Sequence, residues 1–186
     1  RIHNNQITGN AGANTLSGGQ GNDTFFIEAG STNLPFLDGG PDGLDTLDYS
    51  GFTADLTVDL SATGGIPVGT SGVSRIENIT GGSGNDTLTA GDEGGVLIGG
   101  LGDDHLIGGP GNDTLYGDGG DDDLAGGGGA NTVYAGAGDD LIKLGMQDVG
   151  TLVYGTGDLA GQRDYLVIIA TPGDDQIAFA SPSANR

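Results

Sequence analysis

From Gly81 to Lys143 seven nonapeptides follow one another without a gap: GGSGNDTLT, AGDEGGVLI, GGLGDDHLI, GGPGNDTLY, GDGGDDDLA, GGGGANTVY and AGAGDDLIK. A register held this long limits the fold to something that repeats every nine residues or a small multiple of nine. Two earlier units, GNAGANTLS at 9–17 and GGQGNDTFF at 18–26, keep the pattern, and GGPDGLDTLD at 39–48 keeps it with one residue inserted. The units starting at 18, 81, 99 and 108 fill every fixed position of GGxGxDxUx, where U is apolar. A nucleotide-binding reading of these glycines fails, because no strand-then-helix frame and no basic residue follows them.

The spacing has a physical reading. Positions one to six hold mostly Gly, Asn and Asp, which accept tight or left-handed backbone angles and make turns. Positions seven to nine are too short for a helix, and their central residues (Leu88, Leu97, Leu106, Leu115, Leu124, Val133, Ile142) are apolar, as in a three-residue strand with its centre facing inward. Two nonapeptides then close one coil of eighteen residues, and stacked coils give two parallel sheets around an apolar ladder. Turns on one side bring Asp86, Asp104, Asp122 and Asp140 into one file, about 4.8 Å apart. Without a counterion that file repels itself. The opposite file reads Gly95, Asp113 and Asn131, so it is poorer in acid.

The GGxGxDxUx units resemble the repeats-in-toxin (RTX) modules of secreted bacterial proteins, of the haemolysin type. The resemblance implies an all-β, right-handed parallel β-roll, about two nonapeptides per coil, interrupted by an irregular central coil and closed by a C-terminal cap. It also implies calcium. That ion takes 6–8 oxygen ligands, carboxylates and carbonyls alike, and tolerates irregular geometry, whereas magnesium wants a near-octahedral shell and zinc wants His or Cys. By that resemblance each ion lies between turns of adjacent coils: Gly82, Gly84 and Asp86 face Gly99, Leu101, Asp103 and Asp104, and Gly117, Gly119, Asp121 and Asp122 continue the column to Asp140. Three good sites are expected between the four full-Asp turns, with weaker or empty ones opposite, around Asp113. Asn14 weakens the first repeat, while Asp23 and Asp45 keep the acid and are expected ligands.

Composition agrees with this reading. Only 34% of residues are hydrophobic and 5% aromatic, so an ordinary side-chain core would be thin. There are 23 Asp but 3 Glu against 5 Lys+Arg, giving a net charge of -21. Such a surface repels nucleic acid and anionic lipid and favours cations. Asp rather than Glu suits turns and hard-cation sites. No Cys is present, which excludes disulfides and thiolate metal sites. The longest apolar run, YLVIIA at 165–170, is far below the roughly 20 residues of a membrane-spanning helix. Arg1 in place of Met reads as a processed or excised product.

Four segments are expected: 1–48, an N-terminal roll or β-helix segment with the first repeats; 49–80, a long irregular coil; 81–143, the array; and 144–186, degenerate coils and a cap. In 1–10, inward Ile2 and Ile7 flank Asn4 and Asn5, which could ladder. STNLPF at 31–36 reads as a loop. In the long coil, Leu56, Val58 and Leu60 alternate as in a strand, and Val73, Ile76 and Ile79 are further core candidates. TLVYG, DYLVIIA and DQIAFA are the degenerate coils. The outer faces differ: Val96, Ile98, Thr114, Tyr116, Thr132 and Tyr134 make an apolar wall on which C-terminal segments are expected to pack, while Thr87, Thr89, His105, Asp123, Ala125 and Lys143 make a polar one.

No catalytic constellation is visible. His3 and His105 stand alone and read as exposed bystanders, and the pairs Asp103–Asp104 and Asp139–Asp140 fit calcium turns better than a glycosidase dyad. Tyr49, Tyr116, Tyr134, Tyr154 and Tyr165 are the candidates for stacking a polysaccharide. The expected function is a non-catalytic, calcium-binding structural module, secreted or on the cell surface, that folds on calcium outside the cell; type I secretion is implied by the resemblance. Two alternatives are a self-assembling filament, surface-layer or adhesin subunit, contacting itself or another extracellular protein, and an accessory module of a secreted enzyme such as an alginate epimerase or lipase.

Overall fold

A computed structural model describes residues 3–8, 15–30, 35–61, 66–67, 70–145, 147–148, 150–154 and 163–168. Short strands follow one another around a solenoid. They are β1 (Gln6–Thr8) and β2 (Thr15–Ser17), β3 (Thr24–Phe26) and β4 (Phe36–Asp38), then β5 (Thr46–Asp48), β6 (Thr57–Asp59) and β7 (Gly72–Ser74). The array continues with β8 (Asn78–Thr80), β9 (Thr87–Thr89), β10 (Val96–Leu101), β11 (His105–Ile107), β12 (Thr114–Gly119), β13 (Asp123–Ala125), β14 (Thr132–Ala137) and β15 (Leu141–Leu144), and ends in β16 (Leu152–Tyr154) and β17 (Tyr165–Ile168). No helix occurs among the described residues, and so none is long and apolar enough to cross a membrane. The chain is an all-β parallel β-roll.

Every strand pairing among the described residues is parallel, and in the array the register is eighteen residues: Leu97 faces Leu115, which faces Val133, and Leu88 faces Leu106, which faces Leu124. The two-sheet expectation needs one correction. An eight-stranded sheet, β1-β3-β5-β8-β10-β12-β14-β16, forms one wall throughout, but the other wall is split into the three-stranded β2-β4-β7 and the six-stranded β17-β15-β13-β11-β9-β6. The long coil causes the split. Between β5 and β8, which pair directly, it contributes β6 to one sheet and β7 to the other.

The core is a ladder of single side chains. Leu88, Leu97, Leu106, Leu115, Leu124 and Val133 have no exposed surface, and each buried residue of this kind contributes roughly 1.5–3 kcal/mol. The long coil adds Tyr49, Leu56, Val58, Ile76 and Ile79, with Leu60 and Val73 packed at the margin. Part of STNLPF is strand rather than loop, since Phe36 opens β4 and Leu37 is buried. Near the start, Ile7 packs on the core, whereas Ile2, Asn14, residues 31–34 and DQIAFA lie outside the described residues. At the other end Leu152–Tyr154 does not pack on the apolar wall. It extends the same sheet through Tyr134 and Tyr154.

Candidate metal column

Two columns of turns run along the roll, and each builds a side-chain ladder. In the column leading into the six-stranded sheet, the Asp86 N–H donates to Asp104 Oδ1 (2.7 Å), Asp104 N–H to Asp122 Oδ1 (2.8 Å) and Asp122 N–H to Asp140 Oδ1 (2.8 Å). The ladder extends both ways, with Leu56 N–H donating to Asp86 Oδ1 (2.9 Å) and Asp140 N–H to Asp164 Oδ1 (3.4 Å). These carboxylates are therefore buried between rungs, none of Asp86, Asp104, Asp122 and Asp140 exceeding 2% exposure.

One oxygen of each carboxylate accepts an N–H of the preceding coil and the other is where a cation would act, although Asp86 Oδ2 also accepts from the Gly82 N–H (2.9 Å). Asp104 Oδ2 and Asp122 Oδ2 are buried without a hydrogen-bond partner, as are Asp23 Oδ2 and Asp113 Oδ2 in the other column. Buried polar atoms are rarely left so, because desolvation is costly. A methyl group built on Gly99 would overlap Asp104 Oδ2 and press on the Gly117 carbonyl, and one on Gly117 would overlap Asp122 Oδ2 and the Ala135 carbonyl. On Gly81 it would meet Asp86 Oδ2 and the Gly99 carbonyl. Position one of each turn thus marks a point where the Asp oxygen and the next rung's carbonyl converge. Three such points lie between the four Asp turns. Among the described residues no three acidic or histidine side chains converge. One or two carboxylates with several carbonyls is a donor set for a hard cation such as calcium, not for zinc.

Electrostatics carry the same signature. Burial, opposed by the backbone hydrogen bond and reinforced by neighbouring Asp charges, raises Asp104 to about 6 and Asp122 to about 7. Asp86 is also raised, mainly by burial.

In the second column Asn5 N–H donates to Asp23 Oδ1 (2.7 Å), Asp23 N–H to Asp45 Oδ1 (2.7 Å) and Asp45 N–H to Glu77 Oε2 (2.8 Å). After a turn with glycine in place of the sixth-position acid, Gly95 N–H donates to Asp113 Oδ1 (2.8 Å) and Asp113 N–H to Asn131 Oδ1 (2.8 Å). The convergence recurs at Gly18 with Asp23 Oδ2 and the Gly39 carbonyl, at Gly39 with Asp45 Oδ2 and the Arg75 carbonyl, and at Gly108 with Asp113 Oδ2 and the Gly126 carbonyl. At Gly126 it is filled by protein: Asn131 Nδ2 donates to Asp148 Oδ1 (2.7 Å). Burial again dominates in raising Asp45 and Asp113 to about 6.

Asp103 and Asp121 fall on a different row. They are exposed and work in the opposite sense, Asp103 Oδ1 accepting from Asp121 N–H (2.9 Å) and Asp121 Oδ1 from Asp139 N–H (2.8 Å). Asn4 belongs to the equivalent row of the other column, accepting from Asn22 N–H (3.0 Å), so the Asn4–Asn5 pair does ladder, as ordinary turn residues of the roll. Sequence reasoning passed over Glu77 and Asp164. Both lie outside the nine-residue phase, and an acid just before a strand was the available signal. His105 is not isolated, since its Nδ1 lies 3.4 Å from Asp123 Oδ2, which also holds Lys143 Nζ at 2.5 Å.

Stacked turns with buried, unpartnered carboxylate oxygens opposite carbonyls define a cation-binding parallel β-roll. The RTX calcium-binding nonapeptide repeat matches the chain in four copies, over residues 2–33, 71–93, 94–124 and 116–148. The chain belongs to that family, whose repeats bind calcium. No curated protein matches it.

Proposed function

We propose that this chain is a non-catalytic structural module of a secreted protein, which folds when calcium enters its turn columns outside the cell. Asp86, Asp104, Asp122 and Asp140, with carbonyls of Gly82, Gly84, Gly99, Leu101, Gly117 and Gly119, supply the main column, and Asp103 and Asp121 stand at its outer margin. Asp23, Asp45 and Asp113 serve the second column. The observation that carries the reading is the set of buried Oδ2 atoms without partners, each opposite the carbonyl of the next coil. A bound ion neutralises the file and joins successive coils, so binding and folding are coupled. Low calcium in a cytosol then disfavours the closed roll, and the higher calcium outside favours it, as for weak extracellular sites.

Circular dichroism during calcium titration tests this. Melting of the strand signal should shift to lower temperature in EDTA and recover with calcium but not with the same concentration of magnesium. A melting temperature unchanged by chelation would refute the coupling.

A further inference from the structure

We propose that Asp118 is an added carboxylate ligand that makes the gap between turns 99–104 and 117–122 the tightest cation site of the molecule, the first to fill. This rests on the calcium reading above. Position two of the repeat is glycine in the neighbouring turns for a backbone reason: Gly100 and Gly136 have φ of 115° and 114°. Asp118 occupies the same position, paired with Gly100 on one side and Gly136 on the other, and takes φ of 70°. A left-handed backbone is tolerated by Asp but costs more than in Gly.

The direction of its side chain follows from the repeat. A methyl group on Gly100 would run into the Gly82 carbonyl, and one on Gly136 into the Asp118 carbonyl. Position two therefore points back over the preceding turn of its column, so Asp118 points towards Gly100 and the 99–104 turn. Asp118 itself is exposed. Asp104 Oδ2 in turn is buried and unpartnered, with Asp122 Oδ2 in the same state one rung on. A second carboxylate beside an unpartnered one is repulsive by itself and becomes favourable once a divalent cation lies between the turns. The neighbouring gaps, with Gly100 and Gly136 at position two, have no such group. Affinity of calcium sites rises with the number of charged ligands, so this gap should lead.

Titration of the full chain with calcium chloride by isothermal calorimetry, comparing wild type with Asp118→Gly and Asp118→Asn, tests the assignment. The wild type should show one step about tenfold tighter than the rest. In Asp118→Gly that step should weaken about tenfold while thermal stability in EDTA does not fall, because glycine relieves the backbone and the repulsion together. Asp118→Asn should weaken the same step. A merely structural Asp118 would give the reverse, lower stability in EDTA and unchanged affinity, and that result overturns the proposal. Unchanged or tighter binding in either variant also overturns it. No calcium binding by the wild type would overturn the calcium reading itself and this inference with it.

Discussion

The two oxygens of Asp122 have different tasks, and substitutions separate them. Oδ1 accepts the Asp104 N–H, while Oδ2 has no hydrogen-bond partner among the described residues. Asp122→Asn keeps an oxygen for that N–H and removes the charge, so we expect calcium affinity at the adjoining gaps to drop about tenfold or more, with stability in EDTA unchanged or higher. Asp122→Ala also strands a buried N–H, at a cost of about 1–3 kcal/mol, and should lower stability in EDTA too. Calorimetry and thermal melts of the pair separate the two effects. The same carboxylates give a pH dependence of known sign. In the fold Asp104, Asp113 and Asp45 are raised to about 6 and Asp122 to about 7, chiefly by burial, against about 3.9 in an unfolded chain. Folding therefore binds protons, and the stability gained is full below the unfolded value and lost as pH rises through about 6–7. With EDTA present, the melting temperature should rise when pH is lowered from 8 to 5. With calcium present, affinity should fall over the same interval, since protons compete for the oxygens. A melting temperature in EDTA that falls or stays level on acidification contradicts the burial of these groups.

Each nonapeptide is half a coil, and its parts fail differently. Gly99 is confined because a side chain there occupies the point where Asp104 Oδ2 and the Gly117 carbonyl meet. Gly99→Ala should abolish one calcium step and reduce the strand signal at limiting calcium, while saturating calcium recovers part of it. Full wild-type stoichiometry in the variant would place the ion elsewhere. The outer wall carries a separate source of stability. Tyr116 and Tyr134 stack with ring centroids 4.8 Å apart and planes 4° apart, and Tyr134 and Tyr154 stack at 5.0 Å and 12°. Aromatic pairs contribute about 0.5–1.5 kcal/mol beyond buried area, so Tyr134→Ser, which breaks two pairs, should cost about 1–3 kcal/mol in calcium-saturated melts. A change in particle size without a change in melting temperature would instead assign the row to contacts between molecules. These elements were legible because Leu at position eight and Asp at position six recur in phase. Strand β4 was not, because its alternation is three residues long and sits beside a proline. TLVYG read as a degenerate coil, but the pairing of Tyr154 with Tyr134 was not legible, because twenty residues rather than eighteen separate them.

At the scale of the molecule, the sequence shows the array and its acid file, but not how the unphased coil joins the two halves. Leu56, Val58 and Ile79 were readable as core residues; that they serve different sheets depends on long-range pairing, which no local pattern encodes. Glu77 and Asp164 continue the ladders from turns of other lengths, and Asp148 closes a point that Asn131 leaves without acid. The two halves consequently rely on cations to different degrees. Around the long coil, Phe25, Leu47, Tyr49 and Ile79 are buried together, Phe52 sets its ring edge-on to Tyr49 at 5.3 Å, and Arg75 pairs with Asp38. In 81–143 the buried apolar side chains are mostly one leucine, valine or isoleucine per half-coil, set against the stacked carboxylates. Stability in such a stack is a sum of coil and neighbour terms, so loss of the cation need not melt every coil at once. Hydrogen exchange at limiting EDTA should show the Asp104 amide, held by Asp122 Oδ1, opening at least about tenfold faster than the Tyr49 amide, held at 2.8 Å by the Thr80 carbonyl. Saturating calcium should bring the two rates together by slowing the first. Equal rates throughout the titration would mean that the roll opens as one unit, with the apolar coil giving no shelter of its own.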